Sequence, residues 1–400
     1  MLDSSVCIIG GSFTGLVTAL ALHRRGFDVT LIERSAQGTQ EDVKLDGRGH
    51  AIAAAGKAFL TDLGLWDEIA PYAAPIEHIR VTDMGCHGSI SRLQMHLHAH
   101  EVGDETPMGW ITENLAVRGI IYRAVKAVLK ERLIEGAAVE DINYGPASVR
   151  LQLSNNESYK CALVLGCDGR NSTIRQMVGI RKIGWSYNQI ALVGCVEHEK
   201  PHNNWAYEHF TAQGPLAFLP LPDGPQGRNR SSLVWTRRPR EGEMLKAMND
   251  EAYAVALNSV FGSWLGTLTP VGPRWAYPLS AMHARDYVSK RVALIGDAAH
   301  GIHPIAGQGF NLALRDIETL CSLLEEGRRL GLDRGDMSLL RRYERTRRAD
   351  NTLMLAATDI LDKTFSNNLP PLRLVRDFGL AAINRMPRLK ARFIRYAMGN

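Results

Sequence analysis

The sequence has few cysteines and no long apolar run. Six cysteines are scattered through 400 residues and form no C-x-x-C pair. Isolated thiols of this kind argue against a disulfide framework or a structural zinc site, and they favour a reducing compartment. No apolar stretch reaches the roughly eighteen uninterrupted residues that a membrane-spanning helix needs. The first strand pattern starts about five residues into the chain, so we expect a cytoplasmic protein without a cleavable leader.

The sequence also has no large excess of one charge sign and lacks the motif of a serine nucleophile. The formal net charge is only +5, and no Arg/Lys tract is interleaved with aromatic residues, so no nucleic acid partner is predicted. The sequence contains no G-x-S-x-G, the strand–turn–helix signature of a serine hydrolase. A hydrophobic content of 45% is enough for a large core, and the length indicates more than one domain.

A glycine-rich turn lies within the first β-α-β pattern. In IIGGSFTG, Gly10 and Gly15 occupy the first and third positions of G-x-G-x-x-G, and Ser12 replaces the second. The amides of such a turn and the following helix N-terminus suit a pyrophosphate. Glu33 ends the next strand, where an acid accepts hydrogen bonds from a ribose and favours FAD or NAD over a 2′-phosphorylated nucleotide. A plain tight turn followed by an edge acid is the alternative.

A second motif, LVLGCDGRNSTIRQ, covers residues 163–176. An apolar strand leads into Asp168 and Gly169, and Ser172 and Arg175 follow at the start of a helix. This pattern predicts a turn acid, a capping serine and a helix arginine near one phosphate-sized space. An ordinary Asp-Gly turn with a helix cap is the alternative.

A third motif, GDAAHGIHPIAGQG, begins at residue 296. We expect Asp297 to accept hydroxyl donors such as those of a ribityl chain. The amides around Gly307, Gln308 and Gly309, aided by the following helix dipole, suit negative charge on a reduced isoalloxazine. A plain NAD dehydrogenase does not need this element, so the sequence predicts FAD.

The residue patterns between the three motifs indicate how the chain is divided into domains. Runs of alternating apolar and polar residues, such as IRVTD and SSLVWT, are typical of an antiparallel sheet inserted into a nucleotide-binding fold. We predict an α/β (α+β overall) architecture: a Rossmann-like FAD-binding fold, an inserted β-sheet substrate domain and a helical C-terminus. The predicted units are a discontinuous FAD-binding domain (1–75, 102–182 and 276–340), a substrate domain (76–101 and 183–275) and a C-terminal helical segment (341–400).

The three motifs, in this order, resemble the FAD-dependent aromatic hydroxylases of the p-hydroxybenzoate hydroxylase fold. The resemblance is closer to the ubiquinone-biosynthesis hydroxylase family of the UbiH/UbiF/VisC and Coq type. It is carried by DGRGHAIAAAGKAFLTDLGLWDEI (46–69), MGWITENLAVRGIIYRAV (108–125), NQIALVGCVEHEKPHNNWAYEHFTAQGPLAFLPL (188–221) and PLSAMHARDYVSKRVALIGDAAHGIHPIAGQGFNLALRDIETL (278–320). The resemblance covers nearly the whole chain.

The resemblance implies an FAD-dependent monooxygenase that hydroxylates a polyprenylated phenol ring through a flavin C4a-hydroperoxide, with O2 as co-substrate and NAD(P)H or a protein electron donor as reductant. A hydroxylase of a soluble aromatic compound and a non-catalytic flavin-fold protein are the alternatives. No catalytic side chain is assigned, although Pro304, Gly307 and Gln308 are expected to face the flavin. The predicted cofactor-binding residues are Gly10, Ser12, Gly15, Glu33, Arg34, Arg48, Glu113, Arg118, Asp168, Gly169, Asp297, Pro304, Gly307, Gln308 and Gly309.

Three further expectations concern the substrate, metals and partners. We expect a cavity between the inserted sheet and the flavin, and core packing is an equal alternative for each predicted lining residue (Tyr187, Gln189, Phe218, Pro220 and Trp235). The alternating His96, His98 and His100 are interpreted as a polar strand face rather than a metal site. The basic, amphipathic residues 373–395 predict contact with the inner membrane surface or with a ubiquinone-biosynthesis complex, and packing on the protein's own domain is the alternative.

Overall fold

The computed structural model describes residues 3–38, 48–83, 94–103, 106–211, 213–304, 307–365 and 386–398. Its first sheet comprises β1 Ser4–Ile9, β2 Val29–Glu33, β8 Leu133–Glu135, β9 Val139–Tyr144, β10 Val149–Leu153, β11 Ser158–Gly166, β17 Val288–Ser289 and β18 Val292–Leu294. The order is β17-β18-β11-β1-β2-β8, and β10 and β9 continue antiparallel from β11. The central strands β18, β11, β1, β2 and β8 pair in parallel.

Helices cover this first sheet. They are α1 Phe13–Arg24, α4 Asn114–Leu129, α5 Thr173–Met177, α8 Gly309–Arg329 and α9 Met337–Phe365. The apolar runs of β1 and β2 are buried along almost their whole length, as expected for parallel strands covered on both faces. Helix α1 follows β1 directly and contacts both α4 and α8. The carboxyl end of β1 therefore leads into the N-terminus of α1, which packs on two longer helices.

A second, larger sheet is mostly antiparallel. It comprises β5 His78–Asp83, β6 Met95–His98, β12 Lys182–His198, β13 Trp205–Thr211, β14 Gly214–Leu221, β15 Arg230–Arg237, β16 Leu268–Ala284 and β19 His300–Gly301. The order is β19-β16-β12-β15-β14-β13-β5-β6, and only β13 and β5 pair in parallel. Helices α6 Pro239–Ala247 and α7 Asp250–Phe261 lie between β15 and β16 in the chain.

The two faces of the second sheet have different neighbours. Its outer face packs on α7 through Leu192, Tyr207, Phe218, Leu233 and Trp235. Its inner face carries the alternate residues, among them Ala191, Ala206, Ala217, Leu219 and Val234. The strands thus separate an outer core from an inner face that lies toward the rest of the protein.

A third, small sheet lies beneath that inner face. It has the order β3-β7-β4, from β3 Gly49–Ala53, β7 Gly109–Glu113 and β4 Ala73–Ile76. Helices α2 Ala54–Asp62 and α3 Trp66–Ile69 follow β3. Ile76 and Ile111 of this sheet pack with Ala206 and Leu221 of the inner face. The third sheet therefore joins the two larger ones.

The C-terminal helices complete the fold. Tyr343 of α9 donates a hydrogen bond of 2.8 Å to the carbonyl of Leu294 in β18. Helix α10 Pro387–Met398 contacts β6 and residues 99–102, and its Ile394 and Met398 are buried in an apolar cluster that includes residues of the third sheet and of the inner face. Within the described segments, no helix has both the length and the hydropathy of a membrane span.

The predicted fold class is confirmed: a mixed α/β fold with an antiparallel sheet inserted between parts of a parallel one, and helices at the C-terminus. The division into three units stays a proposal. Strand β16 continues beyond residue 275, to Ala284, so one predicted boundary crosses a continuous strand.

Candidate active site

The turn after β1 accepts only glycine at its first and last fingerprint positions. Gly10 has φ +108°, and a Cβ there would lie 2.5 Å from the carbonyl oxygen of Cys167. A Cβ on Gly15 would lie 1.7 Å from the carbonyl oxygen of Gly10. The turn therefore packs tightly against the start of α1 and against the residue that follows β11. The backbone amides at the start of α1 lie beside the turn, where they suit an anionic group.

Ser12 stands at the position where the fingerprint has its second glycine. It precedes α1 as its N-cap residue with φ −86° and ψ −174°, an extended conformation that any residue adopts. The side chain is exposed, and its hydroxyl makes no capping hydrogen bond. Because no positive φ is required, the turn tolerates a Cβ here, and the hydroxyl is available to a ligand.

Glu33 is fixed beside the same turn. Its carboxylate accepts hydrogen bonds from the amides of Gly11 and Ser35, the latter at 2.7 Å. A Cβ on Gly11 would lie 2.8 Å from the Cβ of Glu33, so the glycine allows this approach. A carboxylate has lone pairs for further donors, and this one can still accept ribose hydroxyls. Arg34, the next residue, is exposed.

Asp168 caps α5 and keeps one oxygen unpaired. Its Oδ2 accepts hydrogen bonds from the amides of Thr173 and Ile174, at 2.7 and 3.1 Å. Its Oδ1 is buried and has no hydrogen-bond partner among the described residues. Gly169 follows with φ +79° and open space around its Cα. A donor from a bound nucleotide would satisfy this unpaired acceptor.

Two arginines of the second motif bind protein groups. Arg170, which sequence reasoning missed, donates to Asp297 Oδ2 at 3.1 Å and to the carbonyls of Ser280 and Ile302. Arg175 was expected near a phosphate, but its buried guanidinium donates to the carbonyl of Ala298 at 2.8 Å. The phosphate expectation for Arg175 is therefore corrected: both arginines tie the second motif to the third.

Sequence distance explains this correction. The carbonyl acceptors lie more than a hundred residues after the arginines, so local spacing carried no signal for them. The expected ribityl ligand, Asp297, is half-exposed beside Arg170 and retains acceptor capacity.

The third motif ends at the N-terminus of α8. Gly307 has φ +62°, and a Cβ there would lie 2.8 Å from the Cβ of Ala51 in β3. Gln308 is the N-cap residue of α8, and Gly309 has open space above it. Asn311, a second residue that sequence reasoning missed, accepts from the Ala53 amide at 2.9 Å and also donates to a carbonyl of β3. These two hydrogen bonds hold the N-terminus of α8 next to β3 of the third sheet.

An aromatic cluster brings the two helix N-termini together. Phe13, the first residue of α1, and Phe310, the second of α8, have ring centroids 5.1 Å apart. His50 of β3 lies 4.6 Å from the first ring and 5.2 Å from the second. The positive ends of two helices therefore lie close together, next to β3. This arrangement suits a ligand that is negatively charged at two separate points, as a reduced flavin dinucleotide is.

The remaining predicted cofactor residues connect the third sheet to the inner face. The Arg48 guanidinium lies over the Tyr277 ring at 5.2 Å. Glu113 forms an ion pair of 3.3 Å with Arg230 of β15. Arg118 is buried in α4, and Pro304 is exposed in the loop that precedes α8.

Two predicted pocket residues lie beside the third motif. Tyr187 packs edge-on against His303, with ring centroids 4.7 Å apart. Gln189 Oε1 lies 3.2 Å from His303 Nε2. Burial lowers the pKa of His303 to about 4, so the imidazole is neutral and its Nε2 donates to Gln189. These contacts place both side chains next to Pro304.

The expectation for Phe218 and Trp235 is corrected, because both lie on the outer face. Phe218 stacks on Phe261 of α7 at 3.9 Å, and Trp235 packs against Tyr253 of the same helix at 5.7 Å. Pro220 follows Phe218 by two residues and shares its side of β14. The alternating residues Ala217, Leu219 and Val234 take their place on the inner face.

The histidine-rich segment forms a polar cluster at the edge of the second sheet. His98 Nδ1 lies 2.9 Å from His78 Nδ1, and the His98 ring stacks on His100 at 5.2 Å. Burial lowers the pKa of His96 and of His98. Within the described ranges, no group of three potential ligands is arranged to hold a metal ion.

Sequence reasoning also overlooked an H-E-x-x-H motif at residues 198–202. A zinc protease presents both histidines from one helix, but here His198 ends β12 and its ring bonds Lys200 O and Ser231 Oγ. His202 Nε2 lies 3.0 Å from the carbonyl of Leu221. Both rings hydrogen-bond protein groups within the second sheet and its loops, so the motif is structural.

The glycine turn and the paired helix N-termini define a flavoprotein of the dinucleotide-binding class. The FAD binding domain family matches residues 3–358. The chain is 40% identical over 398 residues to ubiquinone hydroxylase UbiL of Rhodospirillum rubrum, covering 99% of this chain and 90% of that protein. It is 35% identical over 403 residues to 3-demethoxyubiquinol 3-hydroxylase of Escherichia coli, covering 99% and 98%.

This chain belongs to the FAD binding domain family, in the group of FAD-dependent monooxygenases that contains these ubiquinone hydroxylases. The fold agrees with solved structures. The p-nitrophenol 4-monooxygenase PnpA of Pseudomonas putida superposes with a TM-score of 0.77 at 17% identity, covering 99% of this chain and 98% of that one. The predicted FAD cofactor and the predicted family are confirmed.

Proposed function

We propose that this monooxygenase hydroxylates a polyprenylated phenol ring in ubiquinone biosynthesis, with O2 as co-substrate and a reduced nicotinamide or a protein donor as reductant. The proposal is carried by one observation: the chain combines an apolar sheet face with an FAD cradle, by which we mean the glycine turn, Glu33, Asp168, Asp297 and the N-terminus of α8. Its relatives are named ubiquinone hydroxylases. When bound, FAD supplies electron storage and O2 activation, and the protein supplies orientation and exclusion of water.

The cradle residues fit FAD by their chemistry. In the proposed site, the backbone amides at the start of α1, that of Ser12 included, bind the pyrophosphate, and Glu33 accepts the ribose hydroxyls. Asp297 accepts ribityl hydroxyls, and Asp168 Oδ1 receives a further donor. The amides at Gln308 and Gly309 stabilise negative charge on the reduced ring system.

The inner face favours a neutral, apolar substrate. Its central residues are small or aliphatic, including Ala191, Val193, Ala217, Val234 and Leu279. A soluble aromatic acid would require an arginine that binds its carboxylate, but Arg230 at the edge of this face is already paired with Glu113, and the Arg48 guanidinium lies over the Tyr277 ring. These features support a prenylated phenol over an aromatic acid.

Complementation tests the proposed function. The gene is expressed in strains each blocked at one ring-hydroxylation step of ubiquinone biosynthesis, and the accumulated intermediates are identified by mass spectrometry. We expect growth and ubiquinone to return in at least one strain, and the restored step identifies the ring position. A Gly15→Ala variant, which cannot close the glycine turn, is the negative control. FAD-loaded protein that restores no step contradicts the proposal.

We further propose that α10 brings the enzyme to an anionic membrane surface. Its buried side carries Ile394 and Met398, whereas Arg388, Arg392 and Arg395 share the exposed side. A basic stripe of this kind is attracted by anionic headgroups.

Vesicle cosedimentation tests this contact. Changing the three α10 arginines to Gln should abolish recovery with phosphatidylglycerol vesicles. The same charge change at α6, at the exposed Arg240 and Lys246 of the helix and at Arg238 just before it, should leave recovery unchanged. Equal losses for both triple variants would show a non-specific charge effect and contradict the proposal.

A further inference from the structure

Glu208 places a carboxylate on the inner face of the second sheet. Strand β13 alternates: Tyr207 packs on Phe261 of α7 at 5.4 Å on the outer side, so its neighbour Glu208 lies on the inner side. Ala206 and Phe210 flank it on that side. Ala206 packs with Ile394 of α10, and Phe210 stacks on a ring of α9 at 4.1 Å. Glu208 therefore lies on the inner side of β13, between a residue that is covered by α10 and a residue that is covered by α9.

The residues directly opposite this carboxyl group on the two neighbouring strands are apolar. Its register neighbours are Val81 of β5 and Ala217 of β14. The side chain is partly accessible, and among the described residues no hydrogen bond or ion pair to its carboxylate shifts the pKa of Glu208. A carboxylate without a partner beside apolar residues destabilises the folded protein, and such groups are concentrated at functional sites.

Burial alone sets the acidity of this group. Desolvation raises the pKa of Glu208 to about 7. Asp83 ends β5 on the same face, and Lys390 of α10 is bound to Glu101. A base whose pKa lies near the working pH transfers protons efficiently, because both of its protonation states are populated.

We propose that Glu208 is a catalytic residue that binds the ring hydroxyl of the phenol substrate and takes its proton. The O–H bond of the phenol breaks, its electron pair stays on the ring oxygen, and the proton forms an O–H bond on Glu208. The resulting phenolate donates electron density into the ring, and the ring carbon forms a C–O bond to one oxygen atom of O2. The O–O bond breaks, the second oxygen atom leaves as water, and the reductant named above supplies the two electrons through the cofactor. That carbon then loses its hydrogen as a proton, and the ring hydroxyl recovers one from Glu208. This inference rests on the proposed function.

The first test measures binding to the purified holoenzyme, with 2-geranylphenol and its methyl ether as probes. The two probes differ only in the hydroxyl proton. Wild-type enzyme should prefer the phenol at pH 8, where Glu208 is ionised. Glu208→Gln should weaken binding of the phenol by roughly tenfold to a hundredfold, the range for a hydrogen bond to a charged group, and leave the ether unchanged. The exposed Glu243→Gln on α6 is the matched control.

The second test measures coupling of O2 consumption to product. In wild-type enzyme the hydroxylation rate should rise with pH through about 7, as Glu208 loses its proton. Glu208→Gln should lose that rise and roughly a hundredfold or more of the rate, with hydrogen peroxide formed instead. FAD content and the rate of flavin reduction should stay unchanged.

The outcomes separate the two proposals. If wild-type enzyme hydroxylates the phenol and Glu208→Gln matches it in rate, coupling and phenol preference, the role of Glu208 is refuted and the function stands. If wild-type enzyme neither hydroxylates prenylated phenols nor prefers the phenol over its ether, the proposed function fails. A variant that lost only FAD would identify a structural role and also refute the assignment.

Discussion

His300 Nε2 lies 2.5 Å from Asp316 Oδ2, and both side chains are almost completely buried. The same carboxylate accepts the Gly296 amide at 3.1 Å and the Arg347 guanidinium at 2.8 Å. Burial would raise the pKa of Asp316, but His300 and Arg347 outweigh it and lower the pKa to about 2. One ionised side chain of α8 thus anchors the third motif to α8 and α9.

Replacing Asp316 by Asn should destabilise the protein strongly. The amide cannot compensate the buried Arg347, and breaking a buried ion pair costs about 3–5 kcal/mol. The effect is measured as the free energy of unfolding in urea at pH 7. Because the folded-state pKa is below the unfolded one, the wild-type advantage is present above pH 4 and is lost as the pH falls toward 2.

The control for this prediction is Glu326→Gln. Glu326 pairs with Arg342 on the surface, where water screens both charges, so its loss should leave the unfolding curve unchanged. Equal effects of the two substitutions would show that the Asp316 network contributes no more than a surface pair.

Substitutions at two positions of the glycine turn should have opposite effects on the FAD content of the purified protein. Gly15→Ala puts a Cβ within 1.7 Å of the Gly10 carbonyl oxygen, so the turn must open and FAD should be lost on purification. Ser12→Gly should keep FAD, because Ser12 has an ordinary φ and makes no capping bond. The flavin absorbance per protein measures both. Loss of FAD from the Ser12 variant would show that the hydroxyl binds the cofactor.

The parts of the site that are local in sequence could be predicted. Gly10, Gly15 and Glu33 belong to one β-α-β unit, and the chemistry of each is set by residues close in the chain. The positions of Gly307 and Gln308 at a helix start follow in the same way from glycine and helix patterns. The three motifs alone do not predict that Gly307 and Gln308 lie beside α1. Only the family resemblance implies that placement.

The contacts between distant segments could not be predicted. Arg170 binds carbonyls that lie more than a hundred residues later, and no pattern marks a carbonyl acceptor. The inner and outer faces of β14 differ only by which neighbour covers them, so alternation alone could not show that Phe218 faces α7. For the same reason Glu208 was not singled out before its face was known.

Arg170→Lys should loosen the third motif without unfolding the protein. A lysine ammonium is a compact charge that cannot span Asp297 and the carbonyls of Ser280 and Ile302 together. We expect FAD to bind roughly tenfold more weakly, by loss of about one charged hydrogen bond. Fluorescence titration of the apoprotein with FAD measures this. Arg150→Lys, at an exposed strand position, is the control and should bind FAD normally.

The stability of the protein should depend on Glu208 in one pH window. The folded-state pKa is about 7 against an ordinary 4.5, so the unfolded chain releases this proton first as the pH rises. Stability is therefore unaffected below pH 4.5, falls as the pH rises to 7, and stays lower above it, by about 3 kcal/mol for a shift of this size. Glu208→Gln lacks this loss, so urea unfolding should show the variant equal to wild type at pH 4.5 and more stable at pH 8. A constant difference between the two proteins across this window would mean that Glu208 keeps an ordinary pKa.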